Sequence, residues 1–248
     1  MAIGIGATGE MGLAIEVTRG TYVVPSKSVP IRSESITTSQ EINYRRNIRG
    51  IADGETPQAG NITYAGDIEF EAYPDVLPYF FKAMRTSEAK TGGGDPYQYE
   101  YTTTAAALSA ESLSLYVERN GVRFAYSGVT VSGMSLTITD GILICTVTVN
   151  ALSEATQSDA VLTYSNNTPF YTGTFSVEIP QSSAVTDMDN FTWTVDESPS
   201  VNHRLDGSQN PSSITLGERT VTASMERDFD SRTDLDAFMA ATATSLNI

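Results

Sequence analysis

From Glu111 to Asn150 the chain alternates apolar and polar side chains with few interruptions. Ser112–Arg119, Val122–Tyr126, Val129–Thr139 and Ile142–Val149 each carry the period of two that marks a half-buried strand. Asn120-Gly121 and Asp140-Gly141 punctuate the run. Both pairs tolerate the positive φ angles of tight hairpin turns. Four successive strands joined mostly by short turns predict a β-meander over 111–150. Few of its polar groups are of catalytic type, which points to a scaffold or assembly protein ahead of an enzyme.

Charge narrows the partners. Thirty acids against 15 Lys and Arg leave a formal charge of −15 over 248 residues. Such a chain repels nucleic acid at long range, so specific DNA or RNA binding is not expected. The lone Cys145 excludes an internal disulfide and sits in an alternating strand, where it reads as a small core residue. No run approaches the ~20 apolar residues that cross a bilayer as a helix. The first residues carry no basic region followed by an apolar core, so the expectation is synthesis in a cytoplasm without export.

The rest of the chain is mainly β with helices at its margins. Residues 1–34 are Gly-rich and then extended, and Pro25 and Pro30 favour an edge strand or an arm. Residues 35–248 read as one domain. A first strand is expected at 35–42, and 43–61 is a long loop holding Arg45, Arg46 and Arg49. In so acidic a chain this Arg cluster is a candidate docking surface for carboxylates; the alternative is local pairing in a solvated loop. In the strand 62–73, Ile68, Phe70 and Ala72 share one face, and Asp67, Glu69 and Glu71 share the other. Three carboxylates on one strand face require solvent or a basic partner.

Asp75 is the expected cap of a helix over 75–85, with Pro78 in the first turn. Val76, Leu77, Phe80, Phe81 and Met84 form its apolar stripe. A loop at 91–96 follows, then a strand around Tyr97, Tyr99 and Tyr101. Beyond an irregular 151–172, strands are expected at 174–179, 191–195 and 214–227, separated by a loop at 196–213. A C-terminal helix is expected at 232–243, with Ser231 or Thr233 as cap. The final Ser-Leu-Asn-Ile looks like the beginning of a further strand.

Catalytic and cofactor motifs are weak. Gly4-x-Gly6-x-x-Gly9 has dinucleotide spacing but only three residues before it, too few for the preceding strand. Asp187-x-Asp189-Asn190 and Asp228-x-Asp230 lack the glycine and glutamate of a calcium loop. His203 is the only histidine and lies in a polar loop, with no nucleophile-elbow sequence anywhere. No cofactor or metal is expected. Trp193 alternates with Phe191 and Val195 and reads as core rather than a sugar platform.

Several segments, in order, resemble the major tail tube proteins of long-tailed, siphovirus-type bacteriophages. They are Gly9–Pro25, Val29–Ile36, Arg46–Gly50, Gly66–Asp75 with the helix after it, and Phe124–Ile138 with Gly141–Val149. The similarity covers most of 9–150 and, more weakly, 170–240. It implies a β-sandwich or barrel-like fold with a flanking helix, and hexameric rings stacked into a tube through which the genome leaves the capsid. It also implies a virion protein assembled in the host cytoplasm. Partners would be copies of the chain, a tape-measure protein, a tail terminator and distal tail proteins, with DNA passing unbound. One polar meander face, including residues near Glu118 and Asp140, is the expected lumen lining. Arg45, Arg46 and Arg49 are the expected contacts between subunits. The competing class is a secreted β-sandwich module that binds carbohydrate.

Overall fold

A computed structural model describes residues 9–45, 47–48, 50, 55–92, 98–102, 111–157, 160–174, 176–177, 188–227, 232, 236 and 239. In chain order its strands begin with β1 (Met11–Ile15), β2 (Lys27–Ser28), β3 (Ile31–Glu34), β4 (Thr37–Asn43) and β5 (Gln58–Glu71). Helix α1 (Leu77–Lys82) follows, then β6 (Ser87–Thr91), β7 (Gln98–Thr102), β8 (Leu113–Arg119), β9 (Val122–Thr139) and β10 (Ile142–Ala151). The remainder are β11 (Ser153–Thr156), β12 (Met188–Asp196), β13 (Pro199–Asn202), β14 (Ser213–Leu216) and β15 (Thr220–Arg227).

The meander has three strands where the alternation predicts four. Val122–Tyr126 and Val129–Thr139 are one strand of 18 residues, β9. Its first part pairs with β8 and β11, and its second part with β10 and β12. It therefore belongs to two layers, one ordered β2-β1-β8-β9-β11 and the other β15-β12-β9-β10-β5, with β3 and β4 both on the outer side of β5. The join is at Gly128, where φ is +62 and an added Cβ would meet the Leu152 side chain at 2.5 Å. Both hairpin turns are as expected: Asn120 and Gly121 have φ of 55 and 80, and Asp140 and Gly141 of 52 and 78.

Glu16 secures the bend. Its carboxylate accepts the Gly128 N–H at 2.8 Å, the Gly20 N–H at 2.7 Å, and the Ser112 and Ser114 hydroxyls at 2.6 and 2.9 Å. Four donors around one buried carboxylate offset its loss of water. Residues 11–15, expected within an extended arm, are instead a strand of the first layer, because Met11 and Leu13 are buried opposite Val117 and Leu115.

Cross-strand rows fill the space between the layers. Phe70, Cys145, Leu136 and Trp193 stand side by side across β5, β10, β9 and β12, and so do Ile68, Val147, Met134 and Val195. Leu13, Leu115 and Tyr126 face them from the first layer. Cys145 is fully buried, as expected, and burial pushes its thiol pKa well up. Helix α1 closes one end, with the Phe80 ring stacked 5.1 Å from Phe70. It is shorter than the expected 75–85 and begins at Val76 without a side-chain cap. Asp75 is occupied elsewhere, pairing with Lys27 and accepting the Ser165 hydroxyl at 2.7 Å. Burial pushes the Asp75 carboxyl up, but these bonds outweigh it and hold the group below its ordinary range.

Other boundaries moved for local reasons. The expected strand 214–227 is split at Gly217, whose N–H turns back to the Glu197 and Ser198 carbonyls. The expected loop 196–213 contains β13, which pairs with β14. Of the expected strand 174–179, Thr174 instead closes a turn, its N–H on the Tyr171 carbonyl at 2.7 Å, and 176–177 are in no strand; 175, 178 and 179 lie outside the described residues. Of the expected C-terminal helix only Arg232, Asp236 and Met239 are described, with the Asp236 N–H on the Arg232 carbonyl at 2.9 Å; the rest of 232–243 lies outside the described residues, as do residues 1–8 and their glycines.

Gly66 marks the tightest approach of β5 to its neighbours, since a Cβ there would lie 2.5 Å from the Ile36 backbone. Backbone cannot swing aside as a side-chain tip can. Gly66→Ala should therefore cost about 1–3 kcal/mol in urea unfolding. Gly133→Ala, whose added atom meets nothing nearer than 3.5 Å, should stay within about 0.5 kcal/mol of the parent.

Candidate assembly surfaces

The second layer is sealed on one face and open on the other. Three cross-strand rows cover the open face. They run Glu71, Ile144, Thr137, Thr192, Ser224; then Glu69, Thr146, Ser135, Thr194, Thr222; then Asp67, Thr148, Gly133, Asp196, Thr220. Hydroxyls predominate across β9, β10, β12 and β15, while carboxylates line the β5 side and Asp196 stands in the third row. The three acids of β5 share this face as their alternation predicts. Thr148 donates to Asp67 at 2.6 Å, Arg32 lies 3.7 Å from Glu69, and Tyr73 donates to Glu71 at 3.2 Å. The same face opens a concave groove of about 460 Å³ between Ala65, Asn150 and Pro199.

This layer ends in two open edges. At one side β15 pairs with β12 alone among the described residues, and Val221 is 54% exposed. The opposite side is formed by β3 and β4, and β4 is exposed along all seven residues. Unpaired N–H and C=O groups on such edges are templates for another chain.

Beyond Tyr64 the strand β5 outruns β10, so Gln58–Thr63 pairs only with β4 and the hairpin projects. The loop 203–210 braces it. Ile62 N–H donates to the Gln209 carbonyl at 2.9 Å, Tyr64 OH to Asn210 Oδ1 at 2.8 Å, and His203 Nε2 bonds the Ile62 carbonyl at 2.9 Å. The one histidine is thus a structural fastener. Ile42, Tyr44 and Ile48 stand exposed on this projection.

The residues singled out from sequence are not brought together. Arg45 pairs with Glu55 across its own loop at 2.9 Å, and Asn47 donates to the same carboxylate at 3.1 Å. Arg46 and Arg49 lie outside the described residues. Glu118 is half-buried on the first layer, accepting from Tyr116 OH at 3.0 Å and Arg123 Nε at 3.2 Å. Asp140 is exposed in the β9–β10 turn. The two acids sit at opposite ends of β9, and neither belongs to the hydroxyl rows. Both are expected from sequence on one polar face of the meander, but alternation along a strand does not say which of two layers that strand joins.

Sequence reasoning missed a buried ion cluster beside β15. The Glu197 side chain is 0% exposed and pairs with both Arg85 and Arg219. Arg219 also reaches the Met84 carbonyl, and Arg85 the Gly217 carbonyl at 2.9 Å. Arg85 and Ser198 both have positive φ, at 54 and 42. Three chain junctions thereby converge on one carboxylate: α1 to β6, β12 to β13, and β14 to β15. No spacing in the sequence announces partners that are 112 and 22 residues apart.

The hairpin β6–β7 lies against this end, with the Tyr101 ring stacked 5.0 Å from Phe81. Tyr101 donates to Glu88 at 2.7 Å; burial and this bond push its phenol pKa well up. Trp193 tilts against Phe81 at 6.3 Å, a partly buried ring packed against the core.

The chain belongs to the phage tail tube protein family, matching it over residues 6–248. It is therefore a structural component of a phage tail, and so of a virion. No curated protein matches it. Among solved structures it is similar in part to the tube-terminating cap of the anti-feeding prophage, at 12% identity, 59% of this chain, 95% of that chain and a TM-score of 0.35.

Removing the Glu197 carboxylate leaves two arginines uncompensated in a largely buried site. Glu197→Ala should cost about 3–5 kcal/mol in chemical unfolding. Glu226→Ala, at an exposed position of β15, should change stability by less than about 0.5 kcal/mol.

Proposed function

We propose that this chain is the repeating subunit of a tail tube, forming hexameric rings that stack into the channel for genome ejection. The observation that carries this is the second layer: core on one face, hydroxyls and carboxylates on the other, and an open edge at each side. Head-to-tail pairing of β15 on one copy with the β3–β4 edge of the next repeats the same heterologous contact and closes into a ring. The open face then turns inward. Short hydroxyl side chains give a smooth wall, while Asp67, Glu69, Glu71 and Asp196 repel phosphates, so DNA slides without sticking. Asp140 stands at the end of that wall in its turn, and Glu118 lies away from it.

Along the tube axis the braced β4–β5 hairpin reaches the next ring, carrying Tyr44 and Arg45, and Arg46 and Arg49 are the further expected contacts between subunits. The tape-measure protein occupies the channel before ejection, and terminator and distal proteins close the two ends. Assembly takes place in the host cytoplasm. The role is passive, with no chemical step. The family match over residues 6–248 favours this over a carbohydrate-binding module.

Electron microscopy of the purified chain should show six-fold rings or tubes. A stable monomer at high concentration would overturn the proposal. In phage particles, Glu69→Lys with Glu71→Lys should slow DNA release by attracting the backbone, with greater slowing at low salt. Release at the parental rate would exclude this face as the channel wall.

A further inference from the structure

Beside the β15 edge the apolar rows of the core run out into solvent. Phe70, Cys145, Leu136 and Trp193 continue to Ala223, and Ile68, Val147, Met134 and Val195 continue to Val221. Exposure rises along the second row from 0% at Ile68 to 54% at Val221. Where the rows emerge, Phe81, Met84, Tyr101, Trp193, Val195 and Val221 line a cavity of about 90 Å³. That is the share of about three liquid waters, enough for an aliphatic side chain. Its polar neighbours are already engaged: Thr86 donates to the Phe81 carbonyl at 2.6 Å, and Arg219 is paired with Glu197. With these donors committed and the rest of the lining apolar, the notch favours an apolar occupant.

The geometry points to this notch as the seat for an aliphatic side chain of a second copy, filled when the β15 edge is completed. The inference rests on the ring reading above and adds its anchoring contact. Charge selects the occupant. Two chains of −15 repel each other, so they meet where charge is locally absent. Thr220–Met225 carries no charged residue over six positions of the edge. Thr37–Gln40 on the far edge of the same sheet is also uncharged and exposed, and Ile42 on the same strand offers an exposed aliphatic side chain. One molecule thus presents both neutral edges, and a foreign partner is not needed to match them. A buried apolar anchor flanked by strand pairing also supplies what an isolated strand edge lacks, a desolvated centre to the contact.

Trp193 is the only tryptophan and lines the notch, so its fluorescence reports occupancy directly. Acrylamide quenching should be measured on the full chain before and after assembly, with the fractions separated by sedimentation. Quenching should fall several-fold in the assembled fraction. Val221→Glu should abolish assembly while leaving the melting temperature near that of the parent, because the side chain is exposed in the single chain. Val161→Glu, at an 89% exposed valine elsewhere, should leave assembly intact. Tubes that form with Trp193 quenched as before would overturn the seat and leave the tube reading standing. So would equal loss of assembly in both variants. Failure of the parent chain to assemble at all would overturn both.

Discussion

The two layers depend on one bend, and the bend depends on one buried carboxylate. β9 is long enough to serve both sheets only because it turns at Gly128, where a side chain would strike Leu152. That turn exposes an N–H that no strand partner takes, and Glu16 takes it. The same carboxylate gathers Gly20 N–H, Ser112 and Ser114. Arg19 follows in the chain and spans the other way, to the Thr130 hydroxyl and the Ile214 carbonyl. The segment 16–20 is therefore a clasp joining the hinge of β9 to both layers. Such a clasp is polar because hydrogen bonds fix an angle, whereas apolar contact alone would tolerate sliding.

Much of the strand content was legible because alternation is a local property. Ile68, Phe70 and Ala72 are buried in one row, while the carboxylates between them face outward, as the spacing of 66–72 requires. Asn120-Gly121 and Asp140-Gly141 turn where they should. The apolar stripe of α1 is buried at Val76, Leu77, Phe80 and Met84. The failures have a common cause. Ser127-Gly128 reads as a break between strands, because a glycine that ends a strand and one that bends it look the same in one dimension. Asp75 precedes a helix and so reads as its cap, yet Lys27, 48 residues earlier, claims it. Which strands become neighbours is set by contacts such as Glu16 with Gly128, 112 residues apart, and no period in the chain encodes them.

The charge balance has a structural logic that composition alone hides. Cations are half as numerous as acids, and many are used singly to neutralise buried or half-buried carboxylates. Arg119 serves Glu34, Lys27 serves Asp75, Arg123 serves Glu118, and Arg85 with Arg219 serve Glu197. The positive side chains are thus largely consumed inside one chain. What reaches the surface is net negative. Arg45 follows the same rule, which is why an Arg-rich stretch in an acidic protein need not be a docking patch.

This arrangement sets a competition that a tube subunit has to resolve. An exposed, uncharged edge strand invites pairing with any other strand, and the usual defences against that are charge, proline or a bulge. β15 has none of these from Thr220 to Met225. The protection is instead distributed over the whole molecule, as long-range repulsion between copies that each carry −15. Repulsion of that kind acts at a distance and is weakened by salt, while strand pairing and apolar burial act at contact. If copies pair as proposed, a chance encounter between two of them is discouraged, and a docked pair with correct register is retained. In the proposed tube, growth on an existing end, where a newcomer would meet several contacts at once, is favoured over fresh association of two free chains.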